Sequence, residues 1–495
     1  MTPTTKFRAW SIGLQLLPIL ALALGGCVVA AQVNPTSATN PYNGSVTNTK
    51  ASTDPMPLSL DDAIRRGLEF NLALINAQQN LRSVQGEQLQ SLQGVLPTVT
   101  GEGETGFRQI SLVALGFNPS IAAALLPPGV TISPIQEVAF TDAQANLRWR
   151  IFDLSAIQTY RAAKEQTISA EYHVSSVRGL VVLSVGTAYL QVLAQAATLD
   201  NAVGLLATDR ELLRRAHEQH LAGTAANLDE LRARVAYQQQ EQTVVAAGNA
   251  LEKAKIALAR QIGIPPEQKL KLTDPVPYAE LTLLTLDEAR QRAYRDRQDY
   301  QTLQHATRAA VLRRSAAKAE RLPTLNGGGN YGVTGVTTGL YHGTFIALAS
   351  IDFPIFREAG LRGDVDVADA QVKNQEAQLG DLRSKIDAQL RDSFLDIRAA
   401  DQLVAVSRSN VGLATETLDD ATMRFKAGVD DTLPVVQAEA QLVDAQARLV
   451  QSLFQLNTAK LGLARNLGIL EYEYSAYLNG PGTNTPAKVP PPPVH

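Results

Sequence analysis

The sequence predicts a mixed α and β chain built from two structural repeats, each contributing two membrane-length strands and one long coiled-coil hairpin. Three observations lead there. Blocks of sequence recur at fixed offsets. Two stretches, Ser155 to Leu221 and Glu358 to Ala427, run without a proline at helical periodicity. Between the helices lie segments in which apolar and polar residues alternate.

The N-terminus reads as an export signal over residues 1–31. Lys6 and Arg8 precede an apolar run from Trp10 to Leu24, and small residues follow. Two cleavage readings compete. Leu24-Gly25-Gly26-Cys27 resembles a lipobox and would leave Cys27 as a lipidated N-terminal residue. Val29-Ala30-Ala31 resembles an ordinary small-residue site and would discard it. Cys27 is the sole cysteine, so the exported chain can hold no disulfide and no cysteine metal site. Residues 32–57, rich in Thr, Asn and Ser, read as an extended leader.

The first repeat spans 58–264 and the second 285–470. Ser59-Leu60-Asp61-Asp62-Ala63 matches Thr285-Leu286-Asp287-Glu288-Ala289, and Leu96-Pro97-Thr98 matches Leu322-Pro323-Thr324, both 226 residues apart. Further along, Ala222-Gly223 matches Ala427-Gly428, and Leu258 to Ile264 matches Leu463 to Ile469, both 205 apart. The first copy therefore carries an insertion, placed between Ile110 and Val138, where a hairpin tip tolerates it. The proline-containing linker 265–284 and the tail 471–495 are expected to lie in a belt around the helices, with the Pro-rich end disordered.

Each repeat is expected to open with a helix that starts at a capping box, Ser59 with Asp62 and Thr285 with Glu288, and runs to Pro97 or Pro323. The proline-free helices that follow the strands span about 100 Å at 1.5 Å per residue. A seam runs through Val404, Val411, Leu418 and Phe425. A second runs through Val436, Ala440, Val443, Ala447, Val450, Phe454, Asn457, Leu461 and Ala464. Gly223 and Gly428 supply the left-handed caps at which the long helices turn back.

Period-two segments follow the first helix of each repeat. In Ala139–Phe152, Thr141, Ala143, Ala145, Leu147, Trp149 and Ile151 share one face, and Asp142, Gln144, Asn146, Arg148 and Arg150 the other. Thr344–Phe356 alternates likewise, and Val99–Phe107 and Leu325–Val333 are glycine-rich partners. Four strands cannot close a membrane barrel, and an open edge in lipid is forbidden. Several chains must share one barrel; three give twelve strands.

Leu58 to Ile64, Arg424-Phe425-Lys426-Ala427-Gly428 and Phe353-Pro354-Ile355-Phe356, spread over residues 56–470, resemble the outer membrane factor (TolC-like) family. The resemblance implies a homotrimer: a twelve-stranded transmembrane β-barrel, four strands per chain, continued by a twelve-helix periplasmic α-barrel. It implies a passive outer-membrane exit duct for efflux or secretion, set in outer-membrane lipid. Its partners would be a periplasmic adaptor and an inner-membrane pump of RND, ABC or MFS type. The adaptor would grip the tips at Gly223, Thr224, Gly428 and Val429. The family often closes its periplasmic end with aspartate rings. Here those places hold Pro434 and Gln437, which leaves Asp229, Asp430 and Asp431 as the acidic aperture.

Composition sets the alternatives. A net charge of −3 without a basic run gives no reason to expect a nucleic-acid partner. The mean hydropathy of −0.07 excludes a polytopic helical membrane protein but not a strand-built one. No phosphate loop, zinc spacing or nucleophile elbow occurs, so neither an enzyme nor a cofactor is expected. His217 and His220 read as a solvated helix face. A periplasmic coiled-coil scaffold without a pore and a type I protein-secretion duct remain as alternative readings.

Overall fold

The computed structural model describes residues 42, 44–47, 50–114, 116, 127, 133–279, 281, 284–336, 339 and 341–479. The expected signal at 1–31, Cys27, the Pro-rich end of the tail and most of the expected insertion lie outside them.

Strand β1 (Met56–Leu58) leads into α1 (Leu60–Phe70) and α2 (Leu72–Gln93). Strands β2 (Thr98–Ser111) and β3 (Ile135–Phe152) follow, then α3 (Leu154–Leu221) and α4 (Asn227–Gln261). After β4 (Leu270–Leu272) the order returns as α5 (Leu286–Asp296), α6 (Gln298–Ala319), β5 (Thr324–Val336), β6 (Tyr341–Asp352), α7 (Glu358–Lys426) and α8 (Leu433–Asn466). Helix α9 (Leu470–Asn479) closes the described chain. The two long helices, α3 and α7, have 68 and 69 residues.

The opening helices differ from the expectation. Instead of running unbroken to the proline, each is interrupted, at Asn71 and at Arg297, where the backbone turns extended. Asn71 stops α1 and starts α2, because its side chain accepts from Ala73 N at 3.0 Å. The capping box is complete only in the second copy. Thr285 Oγ1 accepts from Glu288 N, and Thr285 N donates to Glu288 Oε2 at 3.0 Å. Asp62 has one methylene fewer than glutamate. Its carboxylate takes the Ser59 hydroxyl (2.9 Å) instead, and the neighbouring Leu60 N donates to Asp274.

Helix α3 is the axis of the helical layer. It packs against α1, α2, α4, α6 and α8, and α7 packs against α6 and α8. The main core sits at mid-height. Val181, Val182, Val185 and Tyr189 of α3 meet Leu58, Ile64, Leu258 and Ile262 from the first copy, and Ile386, Leu390, Leu461 and Leu467 from the second. Each such side chain contributes roughly 1.5–3 kcal/mol by leaving water.

At this height the end of the leader and the start of the linker each form a short strand. β1 and β4 pair in parallel, Met56 opposite Leu270. The Tyr189 hydroxyl donates to Asp274 at 3.0 Å, and Asn457 of α8 holds Pro277 O at 2.8 Å. The tail is likewise helical through α9, whose Leu470, Tyr474 and Leu478 are buried in the same core.

Two glycines make the core's compact joints. Gly263 and Gly468 end α4 and α8 with φ of +72° and +81°. A β-carbon on Gly468 would stand 2.5 Å from Asp296 C, and one on Gly263 2.7 Å from Phe70 Cβ. The returning helices therefore abut the breaks between α1 and α2 and between α5 and α6.

The lower hairpins pack through a second cluster. On α7, Val404, Leu418 and Phe425 are buried as expected. On α8 the buried stripe is Val435, Ala438, Leu442 and Ala445, about one residue from the predicted seam, and Ala440 and Ala447 are exposed. The reason is that α8 touches both α7 and α3, so its buried stripe centres between them rather than on α7 alone.

The sheet has the order β2-β3-β5-β6, all antiparallel, so β3 and β5 join the two copies. Val99, Leu147, Gly329 and Ala347 form one row across it. Because side chains alternate, Tyr331, Phe345 and Ile351 share that apolar face. The other face carries Glu102, Asp142, Gln144, Asn146, Asn326 and Asn330, linked by bonds such as Asn146 Nδ2 to Glu102 at 3.3 Å and Asn326 Nδ2 to Asp352 at 2.6 Å. Strand β6 ends at Asp352, short of the expected Phe356. Phe353, Ile355 and Phe356 follow it, all exposed.

Candidate functional site: the hairpin tips

Each long helix reverses within a few residues. In the first tip, Gly223 takes φ +71°, Gly223 N donates to His220 O, and Thr224 N donates to Gln219 O, both at 2.9 Å. The second tip repeats this with Gly428 at φ +71°, donating to Phe425 O, and Val429 N donating to Arg424 O, both at 3.0 Å. These bonds satisfy the last carbonyls of α3 and α7. Nothing lies within 4 Å of where a β-carbon would sit on either glycine, so the backbone angle alone requires them. Gly223, Thr224, Gly428 and Val429 are all exposed.

The three candidate acids flank these turns, and none is free. Asp229, in the first turn of α4, lies 3.5 Å from Arg232 and accepts from Thr432 Oγ1 at 3.2 Å. Asp431 lies 3.4 Å from the same Arg232 nitrogen and accepts from Leu433 N at 3.0 Å, which starts α8. Asp430 is held apart, against Arg424 Nε at 2.7 Å. The structure thus brings Asp229 and Asp431 together through one guanidinium and ties the first tip to the second.

Arg232, Arg424 and the buried Thr432 are the residues that sequence reasoning missed. Arg232 was within reach, three positions after Asp229 on one helix face. Its bond to Asp431 crosses between hairpins, and no local pattern marks it. His217 and His220 share no ligand; His217 lies 3.2 Å from Glu230. Among the described residues no group of three or more His, Cys, Asp and Glu side chains is placed to hold a metal ion.

A two-faced sheet, an axial layer of very long helices and paired tips are an architecture with named relatives. The model of the outer membrane efflux protein family matches residues 64–264 and 282–469. The chain belongs to that family. It is an outer-membrane exit channel of the efflux and secretion type, with its helices on the periplasmic side. Protein CyaE of Bordetella pertussis is 26% identical over 339 residues, covering 66% of this chain and 70% of that protein. The toluene efflux pump outer membrane protein TtgC of Pseudomonas putida is 22% identical over 435 residues, 85% of each chain. The fold is similar to that of the outer membrane protein VceC from Vibrio cholerae, with a TM-score of 0.70 and 18% identity over 83% of this chain and 96% of that one. For this efflux protein, then, the tips belong to the helical part on the periplasmic side.

Proposed function

We propose that three copies of the chain form one duct, a twelve-stranded barrel continued by a twelve-helix tunnel, that passively conducts cargo delivered by an inner-membrane pump through a periplasmic adaptor. The observation that carries this reading is the sheet. Among the described residues it has one apolar face, one polar face and two unpaired edges, β2 and β6. An unpaired edge in lipid costs several kcal/mol per orphaned group, so each edge needs a neighbouring chain. The flanks of the helical layer need one too: Leu395, Leu403, Val406 and Leu413 on α7, and Val235, Val245 and Ile256 on α4, are exposed. The apolar sheet face would meet outer-membrane lipid and the polar face the lumen.

The aperture acids Asp229, Asp430 and Asp431 then act through ion pairs rather than as bare rings. Opening the periplasmic end means parting Arg232 from Asp431 and Thr432 from Asp229.

Adaptor docking is tested at the tips. Gly223→Trp combined with Gly428→Trp places each β-carbon in open space and costs backbone strain of about 1–3 kcal/mol per site. The expected outcome is assembled protein in the outer membrane with pump-dependent export lost. Export at the native rate would refute docking there.

A further inference from the structure

Asp209 of α3 and Glu439 of α8 meet in the contact that joins the two hairpins of one chain. Their exposures are 5% and 6%, in a cluster otherwise formed by residues such as Leu205, Leu212, Ala438 and Leu442. Asp209 Oδ1 and both carboxyl oxygens of Glu439 have no donor. Ionised carboxylates only accept hydrogen bonds, so two of them facing each other leave these oxygens orphaned and repel as well.

Among the described residues no cation is placed to relieve them. On α3, Arg210 turns to Tyr237, while Arg214 and Arg215 are held by Glu211. On α4, Arg232 bridges Asp229 and Asp431, and Arg234 binds Glu230, which also faces His217. On α7, this level presents Glu416, Asp419 and Asp420, all exposed, and Arg424 is engaged by Asp430. On α8, Asp444 pairs outward with Arg448 at 2.9 Å. Helices α3, α4 and α8 carry no lysine at this height, and Lys426 at the end of α7 is exposed. A single proton supplies the missing donor: a protonated carboxyl on one residue bonds to the carboxylate of the other.

We propose that Asp209 and Glu439 form a proton-binding site that latches the first hairpin to the second, holding them together when one proton is shared and loosening them when it leaves. Burial first, then the bond to Asp209 and its charge, pushes Glu439 from 4.5 up to about 9, and burial raises Asp209 too. The pair therefore holds one proton at neutral pH. In the parted state both carboxyls are hydrated and titrate in the ordinary range. Between those limits the latched state binds a proton that the parted state lacks, so the latched form is favoured by acid. Its advantage falls by up to about tenfold per pH unit as pH rises from roughly 4.5 to about 9. The site lies within one chain and does not depend on the trimer.

Infrared spectroscopy on the full-length protein in detergent tests this. Wild type should show a protonated-carboxyl C=O stretch at neutral pH that disappears as pH passes about 9. Glu439→Gln should lack it yet stay folded, because its amide donates to Asp209 in place of the acid. Hydrogen exchange in segments 205–216 and 435–445, corrected for intrinsic rate, should rise with pH in wild type and stay flat in Glu439→Gln. The proposal is overturned if no such band distinguishes the two proteins at neutral pH, or if the variant's exchange follows wild type.

Discussion

Arg232 carries more of the tip than any acid the sequence singled out. Its side chain is about one-third exposed, so each of its ion pairs contributes at most about 1 kcal/mol to folding. Its position matters more, because it spans Asp229 and Asp431 across two hairpins. Arg232→Ala should leave the thermal midpoint almost unchanged but raise single-channel conductance in planar bilayers, as two acids are left to repel one another. Arg232→Lys should restore most of the closed behaviour. Equal conductance in all three proteins would mean that this bridge does not hold the end shut. The acids could be placed beside the turns because each lies within six residues of Gly223 or Gly428. The arginine's cross-hairpin bond was not, since it joins residues far apart in sequence. Asp209 and Glu439 were invisible for another reason: an isolated acid on a long helix has the pattern of a solvated face, and only packing shows it buried.

Among the elements, the long helices and their turns could be read directly, since proline-free runs bounded by Gly223 and Gly428 leave little else. The breaks at Asn71 and Arg297 could not. Neither is a proline or glycine, and each break is fixed by a returning helix packed against it. β1 and β4, three residues each, are too short to show any period. The offset of the α8 stripe arises because that helix serves two neighbours at once. The four positive-φ glycines at helix ends allow the joints to be weighed. Gly428→Ala meets open space and should cost about 1 kcal/mol from backbone strain alone. Gly468→Ala adds a contact at 2.5 Å with the Asp296 backbone and should cost at least about 2 kcal/mol more. Thermal melts of the purified variants compare the two. Equal losses would show that the α5–α6 break yields freely and is not a fixed joint.

For the whole molecule, the sequence blocks 226 and 205 residues apart fall at corresponding places in the order of elements, and the alternation in Ala139–Phe152 matches the two faces of the sheet. Both are properties that one chain writes along its own length. How chains associate is written only as what is left over: the bare edges of β2 and β6, and the exposed apolar flanks of α4 and α7. These leftovers lead to the central claim, that the channel exists only as a shared barrel. The most direct test is the mass and shape of the particle extracted from outer membranes in mild detergent. The account predicts three copies in one particle well over ~100 Å long, since α3 and α7 alone require that length. A stable monomer, or protein released without detergent, would contradict it.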